Sequence, residues 1–317
     1  MSFMSNSTPT PLSRRVLSII HAPRLPVEGG RKLWEVLRWR DPDDLAQKYI
    51  ADVRAGSYGL VNFEMAERVE VDGFPVKKDG FVYTPEMYLA CWRERSGFHQ
   101  PDAVDYHRLL AEFDIVSKIN SGAIDEVWLF GFPYAGYYES IMAGPGAFWC
   151  NAPPLGERVG RAGANPAPTR RFVIMGFNYE RGVGEMLEDL GHRAESILAQ
   201  VCAGKRGDEN MWEKFTRYDQ THPGQAECGN VHFAPNSQSD YDWGSRRKVA
   251  SRCDDWLNFP NSLREGVERK VDCRDWGNGD IRLHHLWWFK HFPHVGGETN
   301  GVKNNWWEYV VDANNVK

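Results

Sequence analysis

The sequence contains none of the short motifs that mark the common nucleotide and hydrolase chemistries. No GxGxxG follows a strand-like run and there is no Walker A, so the glycine-lined cradles for dinucleotide or NTP phosphates are missing. A GxSxG elbow and a kinase signature are also absent. No nucleotide cofactor is therefore expected. The six cysteines (Cys91, Cys150, Cys202, Cys228, Cys253, Cys273) form no CxxC, and no HExxH is present, so no ready-made zinc motif can be read. Cys150 has no evident partner that would make it a nucleophile.

Long apolar runs are lacking as well. VWLFGF stops far short of the roughly 20 residues needed to cross a bilayer, so no membrane association is expected. Positive charge is not in excess: 38 Lys and Arg face 43 Asp and Glu, a net charge of −5. Without a basic field, nucleic acid is not an expected partner. The segment MSFMSNSTPTPLSRR has no apolar core of a signal peptide. Residues 1–13 read as a disordered leader, and the protein as cytoplasmic with free thiols. A secreted, already processed form is the alternative, in which an even cysteine count permits disulfides.

What the chain does have is alternation. Residues 15–20 (RVLSII) read as a buried strand, and 42–55 as a helix capped by Asp41. A β-like stretch over 58–71 follows, then helical patterns over 85–95 and 103–121. Two apolar strands come next, 126–132 (EVWLFGF) and 171–177 (RFVIMGF). Continuous apolar strands interleaved with amphipathic helices predict an α/β fold, a mainly parallel sheet covered by helices, over 14–203. Residues 144–170, rich in Gly, Pro and Ala, read as a long surface excursion. From 204 to 317 helical periodicity fades and Trp, Asn, Asp and Gly dominate, which predicts a Trp-rich, loop-rich subdomain packed on the first.

Both apolar strands run into Gly-Phe-x-Tyr and then a glutamate: Tyr134 with Glu139, and Tyr179 with Glu180. Ligands of open parallel sheets sit at the carboxyl ends of strands. These two segments are therefore expected to be parallel neighbours facing one cleft, the tyrosines binding substrate and the glutamates serving as acid and base. The following helix, 180–201, sets Val183, Leu187, Leu190, Ala194, Ile197, Leu198 and Val201 on one face. Glu185, Glu188, His192 and Glu195 share the other. Glu188 and His192 are four apart and His192 and Glu195 three apart, a spacing that lets carboxylates reach one imidazole or one metal ion. A charged stripe is also what any surface helix shows.

Four of the ten histidines lie in HHLWWFKHFPH: His284, His285, His291 and His294, with Trp287 and Trp288 between them. Neutral imidazole is the commonest metal ligand. Pro293 precludes a regular helix there, so His291 and His294 are expected on a turn. With His232 of CGNVHF they form a candidate metal set, zinc being the first choice. Trp287 and Trp288 are expected to wall a cleft, and the bland reading is packing among tryptophans. Asp240 and Asp242 hint at calcium without completing its loop.

The expectation is a hydrolase, with a divalent metal activating water, catalytic Glu139, Glu180, Glu188 and His192, and a glycan or peptide as substrate. The alternatives are a metal-free glycosidase using Glu139 and Glu180, and a carbohydrate-binding protein that cuts nothing, since Trp faces stack on sugars either way.

Overall fold

The computed structural model of the protein describes residues 9–156, 166–261 and 267–317. Strand β1 (Leu12–His21) leads into a small hairpin, β2 (Arg24–Leu25) and β3 (Arg31–Lys32). With β4 (Val61–Val71), β5 (Glu126–Gly131), β6 (Ser140–Ala143) and β7 (Phe172–Asn178), β1 builds a five-stranded sheet of order β4-β1-β5-β7-β6. β1 pairs with β5 in parallel, Ile20 opposite Phe130, and β5 pairs with β7 in parallel, Gly131 opposite Asn178. The mainly parallel α/β architecture is thus what forms, and the two Gly-Phe strands are adjacent. Every residue of β5 is buried, as a strand covered on both faces requires. The four-residue β6, antiparallel to β7 with Ser140 opposite Met175, is too short to carry a readable period.

Helices α1 (Leu33–Leu37), α2 (Pro42–Gly56), α3 (Pro85–Glu94), α4 (Tyr106–Glu112), α5 (Ile115–Ser121) and α6 (Val183–Val201) accompany the strands. Asp41 caps α2 as expected, its carboxylate accepting from the N–H groups of Asp43 at 2.8 Å and Asp44 at 3.3 Å. The single helix expected over 103–121 is two helices. Asp114 takes a left-handed conformation (φ 49°) and breaks it, yet both halves bury their apolar face, Leu109 and Leu110 before the break and Ile115, Val116 and Ile119 after it. Periodicity alone does not register such a break. Of the expected leader, residues 1–8 lie outside the described residues. Leu12 and Ser13 already belong to β1, and the Leu12 N–H donates to Leu60 O at 2.6 Å. Residues 157–165 of the glycine-rich excursion also lie outside the described residues.

The chain divides into two units. One comprises Arg14–Lys48 and Phe63–Asp189 and carries most of the sheet; the other comprises Tyr49–Asn62, Leu190–Lys317 and the described part of Met1–Ser13. In the first unit the fully buried Lys77 ammonium donates to the Asp102 carboxylate (2.6 Å), to Asp102 O (2.7 Å) and to Tyr134 O (2.6 Å). A buried ammonium needs such partners, and these pin the loop after β5. The second unit is built on rings: Trp212, Phe215, Trp256, Trp288, Phe292 and Trp306 pack mostly edge to face. All six cysteines are free thiols. No described helix is long and apolar enough to cross a membrane.

His21 closes β1 in a buried position. Its Nδ1 faces the Tyr137 hydroxyl at 2.6 Å, and Tyr179 donates to its carbonyl at 3.1 Å. Burial lowers its pKa from the ordinary 6.5 to about 4, so the native state holds it neutral while the unfolded chain protonates it below pH 6.5. Folding stability is fully present above that value and falls as pH drops towards 4, by on the order of 3 kcal/mol from this group. Buried His284, also shifted down by desolvation, adds in the same direction. Urea unfolding at pH 7 and pH 5 should show about 2 kcal/mol of that loss, and His21→Gln should flatten the slope by up to one proton. An unchanged slope in the variant would assign the acid sensitivity elsewhere.

Candidate metal centre

Helix α6 supplies the first part of the site. Its apolar face is buried as the spacing predicts, through Val183, Leu187, Leu190, Ala194, Ile197 and Leu198. The opposite face is not a solvated stripe. Glu188 is only 7% exposed, and the side chains of His192 and Glu195 are 16% and 28% exposed. Glu188 stands one turn before His192 on the same helix, and Glu195 stands just under one turn after it.

The second part is the loop around His232, and the local sequence explains its shape. Gly229 has φ 73°, and a Cβ there would meet Phe233 O at 2.0 Å, so only glycine fits. The Asn230 side-chain oxygen accepts from the N–H groups of His232 and Phe233, both at 3.0 Å, an Asx turn that reverses the chain. The helix Ile281–Lys290 clamps this loop: Trp288 Nε1 donates to Gly229 O at 3.0 Å, and His285 Nε2 lies 3.2 Å from Val231 O. Part of the histidine run thus holds the loop that presents His232.

The two parts bring Nε2 of His192 to 3.1 Å from Nε2 of His232. Each imidazole is gripped from behind by a carboxylate. Glu195 Oε2 lies 3.1 Å from His192 Nδ1, and Asp240 Oδ1 lies 3.0 Å from His232 Nδ1. Glu195 also ties the parts together, its other oxygen accepting from the Val231 N–H at 3.2 Å. A tetrahedral zinc shell with bonds of 2.0–2.1 Å spaces its ligand atoms at about 3.3 Å, close to the observed nitrogen separation. A carboxylate on the far ring nitrogen is also what orients a histidine ligand. The residues fit a divalent cation.

Next to Glu188, Asp189 is buried. That burial, with the negative fields of Glu139, Glu188 and Glu185, pushes its carboxyl well above the ordinary range, against the opposing field of Arg181. Glu139 is exposed and accepts from the Asn151 side-chain amide. The Glu180 backbone N–H donates to Asn178 Oδ1 at 2.9 Å, and Arg181 lies 4.0 Å from its carboxylate. Tyr134 is exposed, with φ 63°, and stacks on Phe98 at 3.6 Å.

Two residues expected to face substrate are core instead. Tyr179 is fully buried against Trp34, Trp39 and Phe132. Trp288 is fully buried in the ring core, where a Trp finds both packing and a partner for its N–H. Trp287 is half-buried, with Trp276 and His291 against it.

The candidate metal set His232, His291 and His294 does not converge. His291 groups with Cys253 and Asp254, where the Asp254 carboxylate is already paired with Arg269, which also reaches Asp275 at 2.8 Å. The hydrogen bond from His291, with Arg269, holds Asp254 far below the usual carboxylate range, and burial pushes the Cys253 thiol up to about 12. The Asp254 carboxylate is thus engaged by Arg269 and His291 together. His294 caps a hairpin, its Nδ1 2.8 Å from Phe292 O and its ring stacked on Tyr58 at 4.3 Å. His284 stacks on Trp243 at 4.9 Å inside the core. Asn230, whose side chain turns the chain at His232, was missed by sequence reasoning and carries no motif.

Comparison of the chain with protein-family models, curated proteins and solved structures finds no match.

Proposed function

We propose that the protein is a metal-assisted hydrolase whose ion, zinc by preference, is held by His192 and His232, with Glu195 and Asp240 positioning the two imidazoles. The observation that carries this reading is the pair of Nε2 atoms facing each other at 3.1 Å, each ring fixed from behind by a carboxylate. One divalent cation can take both Nε2 lone pairs at once. Two histidine ligands leave a tetrahedral ion open to water and substrate, and catalytic rather than structural zinc keeps such an open position. An ion there acidifies bound water and polarises a scissile bond. The substrate class of this reading is a peptide or glycan.

The metal-free glycosidase draws less support. Its two glutamates are engaged separately, Glu139 by Asn151 and Glu180 beside Arg181. Buried Trp288 and half-buried Trp287 likewise offer little of the open aromatic face that sugar binding uses. The test is elemental analysis of protein made without an affinity tag and dialysed against metal-free buffer. Near-stoichiometric zinc, removable by a chelator and restored on addition, is the expected result. Protein that neither carries nor takes up a divalent ion at micromolar concentration would end the metal reading.

A further inference from the structure

A cavity of about 260 Å³ lies at one edge of the sheet and shares no residue with the paired imidazoles. β1 ends at His21 and its neighbour β4 at Val71. The Ala22 N–H donates to Val71 O at 2.7 Å, so the two strands finish together. β1 runs parallel to β5, which makes this the carboxyl edge, where ligands of such sheets sit. Buried Phe74, Pro75 and Leu109, with half-buried Val76, give the inner wall, and their side chains carry no polar atom. His21, 4% exposed, is the exception on that wall. Its Nδ1 faces the Tyr137 hydroxyl at 2.6 Å. Burial holds the Tyr137 phenol well above its ordinary pKa and His21 below its own, so near pH 7 the phenol keeps its proton and the imidazole is neutral. Nδ1 is the phenol's hydrogen-bond partner among the described residues, so the phenol donates and His21 carries its own proton on Nε2. That Nε2–H has no partner among the described residues. The rim adds no net pull on an anion: exposed Arg108 lies 3.9 Å from the Glu112 carboxylate, and Asp105 accepts from the Arg108 N–H at 3.1 Å.

We propose that this cavity binds a small, uncharged, mainly apolar carbonyl compound whose oxygen accepts a hydrogen bond from His21 Nε2–H. An ion of either sign would give up its hydration with no opposite charge on the inner wall. An alcohol would bring a hydroxyl hydrogen for which the side chains of that wall hold no acceptor. A carbonyl oxygen needs only the one donor present, and the apolar wall rewards burial of the rest of the molecule. The volume sets the size, since it falls below the roughly 300–1,000 Å³ of pockets for drug-sized ligands.

The probes are acetophenone, α-methylstyrene, which replaces the ketone oxygen with a methylene at nearly the same shape, and benzoate, the charged counterpart. Nitrogen-15 spectra of histidine-labelled protein report each imidazole, and the signals lost in His21→Gln are those of His21. Acetophenone should shift the His21 Nε2 signal in the wild type. It should bind roughly 3–10-fold more tightly than α-methylstyrene, the range of one neutral hydrogen bond, and about tenfold or more tighter than benzoate, which must bury a charge. Val76→Phe fills the cavity and should lose about tenfold or more of the acetophenone affinity while keeping its melting temperature. Equal affinity for the ketone and the alkene would overturn the donor role of His21. Acetophenone that leaves the His21 signal unmoved, or that binds Val76→Phe as well as the wild type, would overturn the site. Benzoate as the tightest of the three would overturn the uncharged class.

Discussion

Replacing His232 or His192 with alanine should lower zinc affinity by more than about a hundredfold, while Asp240→Asn and Glu195→Gln should lower it about 10–100-fold. The ranking follows from position. The two histidines offer the nitrogens that face each other at 3.1 Å, so each deletion removes a ligand. The carboxylates touch only the far ring nitrogens, at 3.0 and 3.1 Å. Neutralising one leaves a hydrogen-bonding group of the same shape but removes the charge that raises imidazole basicity and fixes the tautomer. His291→Ala and His294→Ala are the controls. His291 is bound to the Asp254–Arg269 pair and His294 to Phe292 O, so both variants should keep their zinc even if they melt earlier. Competition against a chromophoric chelator measures all six proteins, with a thermal melt to confirm that each is folded. Zinc lost from His291→Ala but kept by a His192→Ala/His232→Ala double variant would move the site back to the histidine run.

The strands were legible because their burial is two-sided. EVWLFG and FVIMGFN leave no polar face, and a strand of that kind belongs inside a parallel sheet. Helix α6 was legible for the complementary reason, one apolar face and one polar face at a period of 3.6. The polar face also carried the candidate ligands Glu188 and His192, three positions from Glu195, so half of the site was visible as spacing within one helix. The other half was not. His192 and His232 are 40 residues apart, and they meet only because the Asx turn at Asn230 and the glycine at 229 fold the intervening loop back. No local pattern encodes that closure. Density in the histidine run misled for a physical reason: on the helix Ile281–Lys290, His284 and His285 point into a ring-filled core, and imidazole packs there as a flat, nearly apolar group. Aromatic density likewise suggested a cleft wall where it built an interior.

Gly191→Val should cost both stability and metal, about 3 kcal/mol of the first at the upper end of ordinary overpacking and roughly a hundredfold of the second, as for a displaced ligand. A glycine inside a 19-residue helix gives up about 1 kcal/mol relative to alanine, so its presence needs a structural reason. A Cβ at this position would stand 2.0 Å from Val231 Cγ2, 3.4 Å from Val231 Cβ and 3.7 Å from Trp288. The helix and the His232 loop therefore touch backbone to side chain, one residue from each of the two facing imidazoles. The loop has little freedom to yield. Val231 is held through its N–H by Glu195 and through its carbonyl by His285, so a side chain at 191 must push the whole turn, and His232 with it, away from His192. Gly191→Ala should act in the same direction with a smaller effect. Val231→Ala should be tolerated better in the Gly191→Ala background than in the wild type, because it removes the colliding methyl groups, and a double-mutant cycle on melting temperature and zinc affinity would expose that coupling. Additive losses in the cycle, or a Gly191→Ala protein as stable and as zinc-loaded as the parent, would mean that the close approach at Val231 does not set the separation of the two imidazoles.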